Sequence, residues 1–207
     1  MNPKTRHELW DGAAGPIEVS FDEPATATKG LAVIAHPHPL FGGTKDNKVV
    51  QTLARAFVQC GWQAVRFNFR GVGASAGQYD EGRGEALDMV RVIAQTAASG
   101  PLALAGFSFG AFVTSHVVNM LGTERAPEKL VLVGTAASRF DVAPVPQELH
   151  ARTLVLHGEQ DDTVSLQSVM DWARPQSLPI TVIPGVSHFF HGQLPLLKTL
   201  VVGHVQA

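Results

Sequence analysis

The segment Gly106-Phe107-Ser108-Phe109-Gly110 constrains this chain more than any other stretch. It ends an apolar run of strand character beginning near Pro101 and passes directly into a helix-compatible stretch. A serine on so tight a strand-to-helix turn is forced into a strained backbone conformation. The chain can cross itself there only if the positions two before and two after carry no side chain. Gly106 and Gly110 meet that need. The strain turns the hydroxyl away from the sheet and leaves the Phe109 amide at a helix N-terminus, where it can receive developing negative charge. One segment therefore offers a candidate nucleophile, Ser108, and half of an oxyanion hole. In a chain with 20 glycines the spacing arises easily by chance, so the strand before it and the helix after it carry the reading.

A chain of 207 residues, 45% hydrophobic and 16% charged, is expected to fold as one compact domain with its own core. With a formal charge of −2 and no Lys/Arg cluster, neither nucleic acid nor an anionic membrane is expected as a partner. No apolar run approaches the roughly 18 residues of a membrane helix, and the first residues lack a signal-peptide core, so a cytoplasmic location is expected. The single cysteine, Cys60, excludes an internal disulfide and a multi-cysteine metal site. Placed at the end of a helical pattern before Gly61, it reads as a small core residue.

Alternation near the N-terminus, with Ile17, Val19 and Phe21 on one face around a turn at Asp11-Gly12, predicts an antiparallel hairpin at a sheet edge. Continuous apolar runs then recur at 31–35, 64–69, 102–105, 130–133, 154–156 and 180–183, a pattern suited to strands buried on both faces. Segments of helical spacing lie at 49–58, 86–97, 112–121, 165–172 and 194–205. Strands alternating with helices predict an α/β, doubly wound, mostly parallel sheet with helices on both faces. Chemistry in such sheets gathers beyond the C-terminal strand ends. The segments there are rich in reactive types: His36-Pro37-His38-Pro39, Asn68 to Gly73, the Ser108 turn, His157 to Asp162 and Pro184 to His188.

A serine hydroxyl is a poor nucleophile until a base takes its proton, and the base needs a carboxylate to hold its tautomer and stabilise its charged form. Asp161, or its neighbour Asp162, follows the run at 154–156; His188 follows the run at 180–183, with His191 close by. The chain order is then Ser, Asp, His. With this order the chain resembles the α/β-hydrolase superfamily over essentially its whole length. The matching residues are His36-Pro37-His38-Pro39-Leu40-Phe41-Gly42-Gly43, Phe69-Arg70-Gly71-Val72-Gly73-Ala74-Ser75, the serine turn, Gly158-x-x-Asp161 and Gly185-Val186-Ser187-His188-Phe189-Phe190. It is most similar to small bacterial serine hydrolases with a His-Pro-His-Pro segment.

The resemblance implies hydrolysis of an ester or related acyl bond, with Ser108 as nucleophile, His188 as base and Asp161 as its orienter. The Gly-x-x-Asp spacing favours Asp161, while Asp162 suits the capping of a helix beginning near Val164. Pro37 and Pro39 have no N–H, so the first amides after His36 are those of His38 and Leu40. The superfamily pattern favours the His38 amide as the second oxyanion donor, with Leu40 as the rival.

Other readings of these residues are weaker. His36-x-His38 could be a metal pair joined by Asp161 or His188, but no further ligand spacing accompanies it. Gly71-x-Gly73 lacks the third glycine of a dinucleotide loop, so Arg70 and Ser75 read as structural and no cofactor is implied. Residues 134–153, interrupted by Pro144 and Pro146, are too short for a cap domain, and a lidless, open cleft is expected. Phe41, Phe107, Phe109, Phe189 and Phe190 are candidates to line it. The leading function is a serine hydrolase, a carboxylesterase or thioesterase acting on a small accessible acyl substrate. An acyltransferase with the same three residues and a non-catalytic binding protein on the same fold are the alternatives. A peptidase is less supported because no further domain restricts access.

Overall fold

The computed structural model describes residues 5–96 and 100–207. Among these residues eight strands form one sheet: β1 (Arg6–Gly12), β2 (Gly15–Asp22), β3 (Leu31–Ala35), β4 (Gln63–Phe67), β5 (Leu102–Phe107), β6 (Lys129–Val133), β7 (Thr153–Gly158) and β8 (Ile180–Ile183). Their order across the sheet is β1-β2-β4-β3-β5-β6-β7-β8. β1 pairs antiparallel with β2, and β2 with β4; every later pairing is parallel. Among the described residues five α-helices flank the sheet: α1 (Lys48–Gln59), α2 (Arg83–Thr96), α3 (Phe109–Leu121), α4 (Leu166–Ala173) and, after the last strand, α5 (Leu194–Gln206).

Successive side chains of a strand point to opposite faces, and here both faces are covered. Leu31, Val33 and Ala35, Leu102 and Leu104, and Leu130 and Leu132 enter one core with α2, α3 and α4. Ala32 and Ile34, Ala103 and Ala105, and Val131 and Val133 enter the other with α1 and α5. That division explains why these runs are apolar without interruption.

The expected elements are present, with shifts at their ends. Gly12 pairs with Gly15, which places the hairpin turn at Ala13-Ala14 rather than Asp11-Gly12. Ile17, Val19 and Phe21 face the core as expected. α4 begins at Leu166, and its N-cap is Ser165, whose side chain accepts from the Ser168 amide. Asp162 is therefore not the cap: it is exposed, and its carboxylate accepts only from the Thr163 hydroxyl among the described residues. The expected helix end at Ala97 lies outside the described residues. Cys60 is buried at 4% exposure beside α5, its thiol facing the Val202 carbonyl. Arg70 forms a two-pronged ion pair with Asp88 of α2, and Ser75 bonds Asn68 and Glu18 of the neighbouring segments, so both serve the framework. Residues 134–153 form no cap: their regular structure is a short 3-10 turn, Gln147–Arg152.

Candidate active site

Ser108 sits between β5 and α3 with φ 57° and ψ −118°, a left-handed conformation that a residue with a Cβ adopts at a cost of about 1–3 kcal/mol. Its surroundings enforce that conformation. A Cβ on Gly106 would lie 2.3 Å from the Gly110 carbonyl oxygen, and one on Gly110 would lie 2.4 Å from that of Ala35. The Ser108 amide donates to the Val133 carbonyl at 2.8 Å, tying the turn to the end of β6. The hydroxyl-bearing residue opens on a cavity of about 390 Å³ lined by His188, His38, Phe41, Arg139, Thr163 and Phe189, among others.

His188 lies in the loop after β8, and its Nδ1 is 2.6 Å from Asp161 Oδ2 in the loop after β7. The other Asp161 oxygen accepts from the amides of Thr163 at 3.0 Å and Val164 at 2.7 Å. Burial alone would raise the Asp161 carboxyl, but the bonds from His188 and Val164 outweigh it and hold the group below the usual carboxylate range. The two loops are locked together. Glu159 and Gln160 donate their amides to the Ile183 and Val186 carbonyls, and a Cβ on Gly158 would lie 2.3 Å from the Val186 oxygen. The His188 ring packs on Phe107, with centroids 4.9 Å apart, and meets Phe189 edge-on. His191, by contrast, is exposed.

The segment after β3 is held by His36, which is fully buried. Its Nδ1 donates to the Pro37 carbonyl at 2.6 Å and its Nε2 accepts the Phe69 amide at 2.9 Å. Both ring nitrogens are thus committed to backbone, and the ring straps the ends of β3 and β4 rather than facing a ligand. His38 turns its Nδ1 to the Leu40 amide at 3.2 Å. Leu40 is thereby engaged, whereas among the described residues the amides of His38 and Phe109 donate to no backbone or side-chain acceptor. Of the two rival donors, the His38 amide is the one left free. Its imidazole packs among Phe41, Tyr79, Phe109 and Phe140. Burial, with the charge of Arg139 in support, lowers its pKa below the ordinary histidine value.

Of the five candidate phenylalanines, Phe41 and Phe189 line the cavity and are exposed, at 76% and 43%. Phe107, Phe109 and Phe190 are fully buried core residues. Sequence reasoning missed four residues here. Gly134, with φ +54°, leaves room for the imidazole, since a Cβ there would lie 3.0 Å from His188 Cε1. It stands directly after β6, where the strand-end rule points. His157, fully buried on β7, donates from Nε2 to the Val164 carbonyl at 3.0 Å and lies 3.5 Å from Asp161 Oδ2. Thr163 and Arg139 line the cavity and carry no motif in the sequence.

The comparisons with known proteins agree with this fold. A crystal structure from Xanthomonas campestris, described as an α/β serine hydrolase without a lid, superposes with a TM-score of 0.88 at 34% identity, covering 100% of this chain and 95% of that one. An α/β serine hydrolase homologue from Coxiella burnetii gives 0.81 at 37% identity, covering 96% of each chain. An uncharacterized protein of Rickettsia prowazekii is 30% identical over 200 residues, 87% of this chain and 80% of its own length. The profile of the family described as X-Pro dipeptidyl-peptidase (S15 family) matches residues 16–144, a span that includes Ser108 but neither Asp161 nor His188. The chain therefore belongs to the S15 family and has the lidless α/β serine hydrolase fold.

Proposed function

We propose that this hydrolase cleaves carboxylic esters or thioesters of small, accessible substrates through an acyl-enzyme on Ser108. The observation that carries the reading is the 2.6 Å contact between His188 Nδ1 and Asp161, at a cavity that Ser108 and His188 both line. With Nδ1–H donated to the carboxylate, the other ring nitrogen, Nε2, is unprotonated and free to act as base. Ser108 Oγ attacks the substrate carbonyl as Nε2 takes its proton. The carbonyl oxygen becomes an oxyanion facing the Phe109 and His38 amides. The intermediate collapses by breaking the bond to the alcohol or thiol, which leaves with the proton from His188. Water then enters, gives a proton to Nε2 as it attacks the acyl carbon, and the second intermediate collapses by breaking the bond to Ser108 Oγ, which takes that proton back from His188 as the acid is released. The exposed Phe41 and Phe189 leave the rim open to water as the acceptor.

Family membership favours a second reading, peptidase action. An exopeptidase that removes dipeptides must hold the free amine of its substrate, and that chemistry calls for a carboxylate at the site. Among the described residues, those lining this cavity include no carboxylate, and their one ionic side chain is the cation Arg139. The test is a fluorophosphonate probe with mapping of the labelled residue, followed by turnover of p-nitrophenyl butyrate and of an Xaa-Pro p-nitroanilide. Labelling at Ser108, ester turnover and a loss of about 10⁴–10⁶ in kcat for Ser108→Ala are expected. A variant keeping more than about a tenth of the activity overturns the nucleophile assignment. Turnover of the anilide at a rate matching the ester installs the peptidase reading.

A further inference from the structure

Arg139 stands in the segment after β6, on the wall of the cavity that holds Ser108. Its side chain is exposed and makes no hydrogen bond or ion pair with any described residue. Other cations at this end of the sheet are consumed: Lys45 by Glu18 and Asp46, Arg66 by Asp22 and Asp46, Arg70 by Asp88. The backbone beneath Arg139 is well held. Its own amide donates to Ala136, and the ring of Phe140 stacks on Phe112 at 4.7 Å and packs on Phe109 at 5.2 Å. A held backbone that carries a guanidinium without an acidic partner onto the cavity wall leaves that cation available to an anion bound there. Opposite in character, Phe41 and Phe189 give the same cavity an apolar wall.

We infer that Arg139 is a specificity residue for an acyl substrate carrying a carboxylate, which its guanidinium binds while Phe41 and Phe189 cover the substrate's apolar part. The inference rests on the esterase reading of Ser108 and sharpens it to anionic esters. The planar guanidinium matches a carboxylate through two parallel N–H···O bonds, and both partners remain near solvent, so the effect is one of preference rather than of absolute requirement.

Two matched substrate pairs test it, one charged in the acyl part and one in the leaving group. The first is mono-p-nitrophenyl adipate against p-nitrophenyl hexanoate; the second is 4-acetoxybenzoate against 4-acetoxybenzamide. In at least one pair the wild-type enzyme is expected to favour the anion in kcat/KM by about tenfold, a preference that falls as salt is raised. Arg139→Gln removes that preference and Arg139→Glu reverses it. A ratio that stays within about twofold of wild type in both variants and both pairs overturns the assignment. Should the wild type cleave none of these esters, the esterase reading fails, and the role of Arg139 is decided by calorimetric titration of mono-p-nitrophenyl adipate into Ser108→Ala. Binding weakened about tenfold by adding Arg139→Gln supports it; unchanged binding refutes it.

Discussion

Protonating His36 should unstrap the segment that carries the His38 amide, and the cost can be worked from the structure. The ring is fully buried, donates from Nδ1 to Pro37 and accepts at Nε2 from Phe69. Burial lowers its pKa from 6.5 to about 4; the charges of His38 and Lys45 add to the drop, and the bond to Pro37 opposes it. In the unfolded chain the ring protonates near 6.5, so between there and about 4 the unfolded state binds more protons than the folded one. Stability must then fall as pH falls through that window, while above 6.5 the contribution is fully present. The linkage amounts to about 2 kcal/mol between pH 7 and pH 4.5. Glutamine at this position can still accept and donate hydrogen bonds but does not titrate. At pH 7, His36→Gln should be less stable than wild type by roughly 1–3 kcal/mol through imperfect replacement of two buried bonds. By pH 4.5 most of that gap should close, because only the wild type carries the His36 proton linkage. Urea unfolding of both proteins across this range reads the difference directly, and the other histidines cancel between them. A gap that stays constant within about 0.5 kcal/mol refutes the reasoning, since it means that His36 titrates alike in both states.

Asp161→Asn should lower kcat by about 10³–10⁴, because an amide beside His188 Nδ1 favours the wrong tautomer and cannot stabilise the imidazolium. Asp162→Asn should change neither kcat nor Tm appreciably, since its side chain is exposed and Ser165 caps α4; the opposite ranking in matched kinetic and thermal measurements transfers the role. The cavity walls Phe41 and Phe189 are exposed, so each methylene added to a p-nitrophenyl ester should gain less than the roughly 0.8 kcal/mol of full burial, and kcat/KM should level off beyond short chains. A steep rise through palmitate, or a jump in rate at the solubility limit, means that residues 134–153 cover a deep acyl tunnel.

Much of this architecture was legible in the chain alone because its signals are local. A strand buried on both faces must be apolar at every position, and 31–35 coincides with β3, whose five residues are all buried, while 180–183 coincides with β8, an edge strand whose Thr181 is exposed. The serine turn declares itself through Gly106 and Gly110, whose missing Cβ atoms are demanded by contacts of 2.3 and 2.4 Å. What the chain alone left open were choices between chemically equal neighbours. His38 and Leu40 each carry an amide, and only the folded loop shows that the His38 ring occupies the Leu40 amide. Asp161 and Asp162 are the same residue type one position apart. They are separated by the bonds that Asp161 receives from His188, on a loop 27 residues away, and from the following amides. Likewise, sequence could not sort Phe107, Phe109 and Phe190 into the core and Phe41 and Phe189 onto the cavity wall, because all five are the same residue type at or beyond the C-terminal ends of strands. Arg139 carries no motif at all; only the convergence of the β3, β5, β6 and β8 ends puts its charge beside Ser108. Backbone sterics and hydrophobic period act over a few residues and are written in order along the chain. Hydrogen-bond partners and the reach of a single charge depend on which strand ends meet, and that is decided only when the sheet assembles.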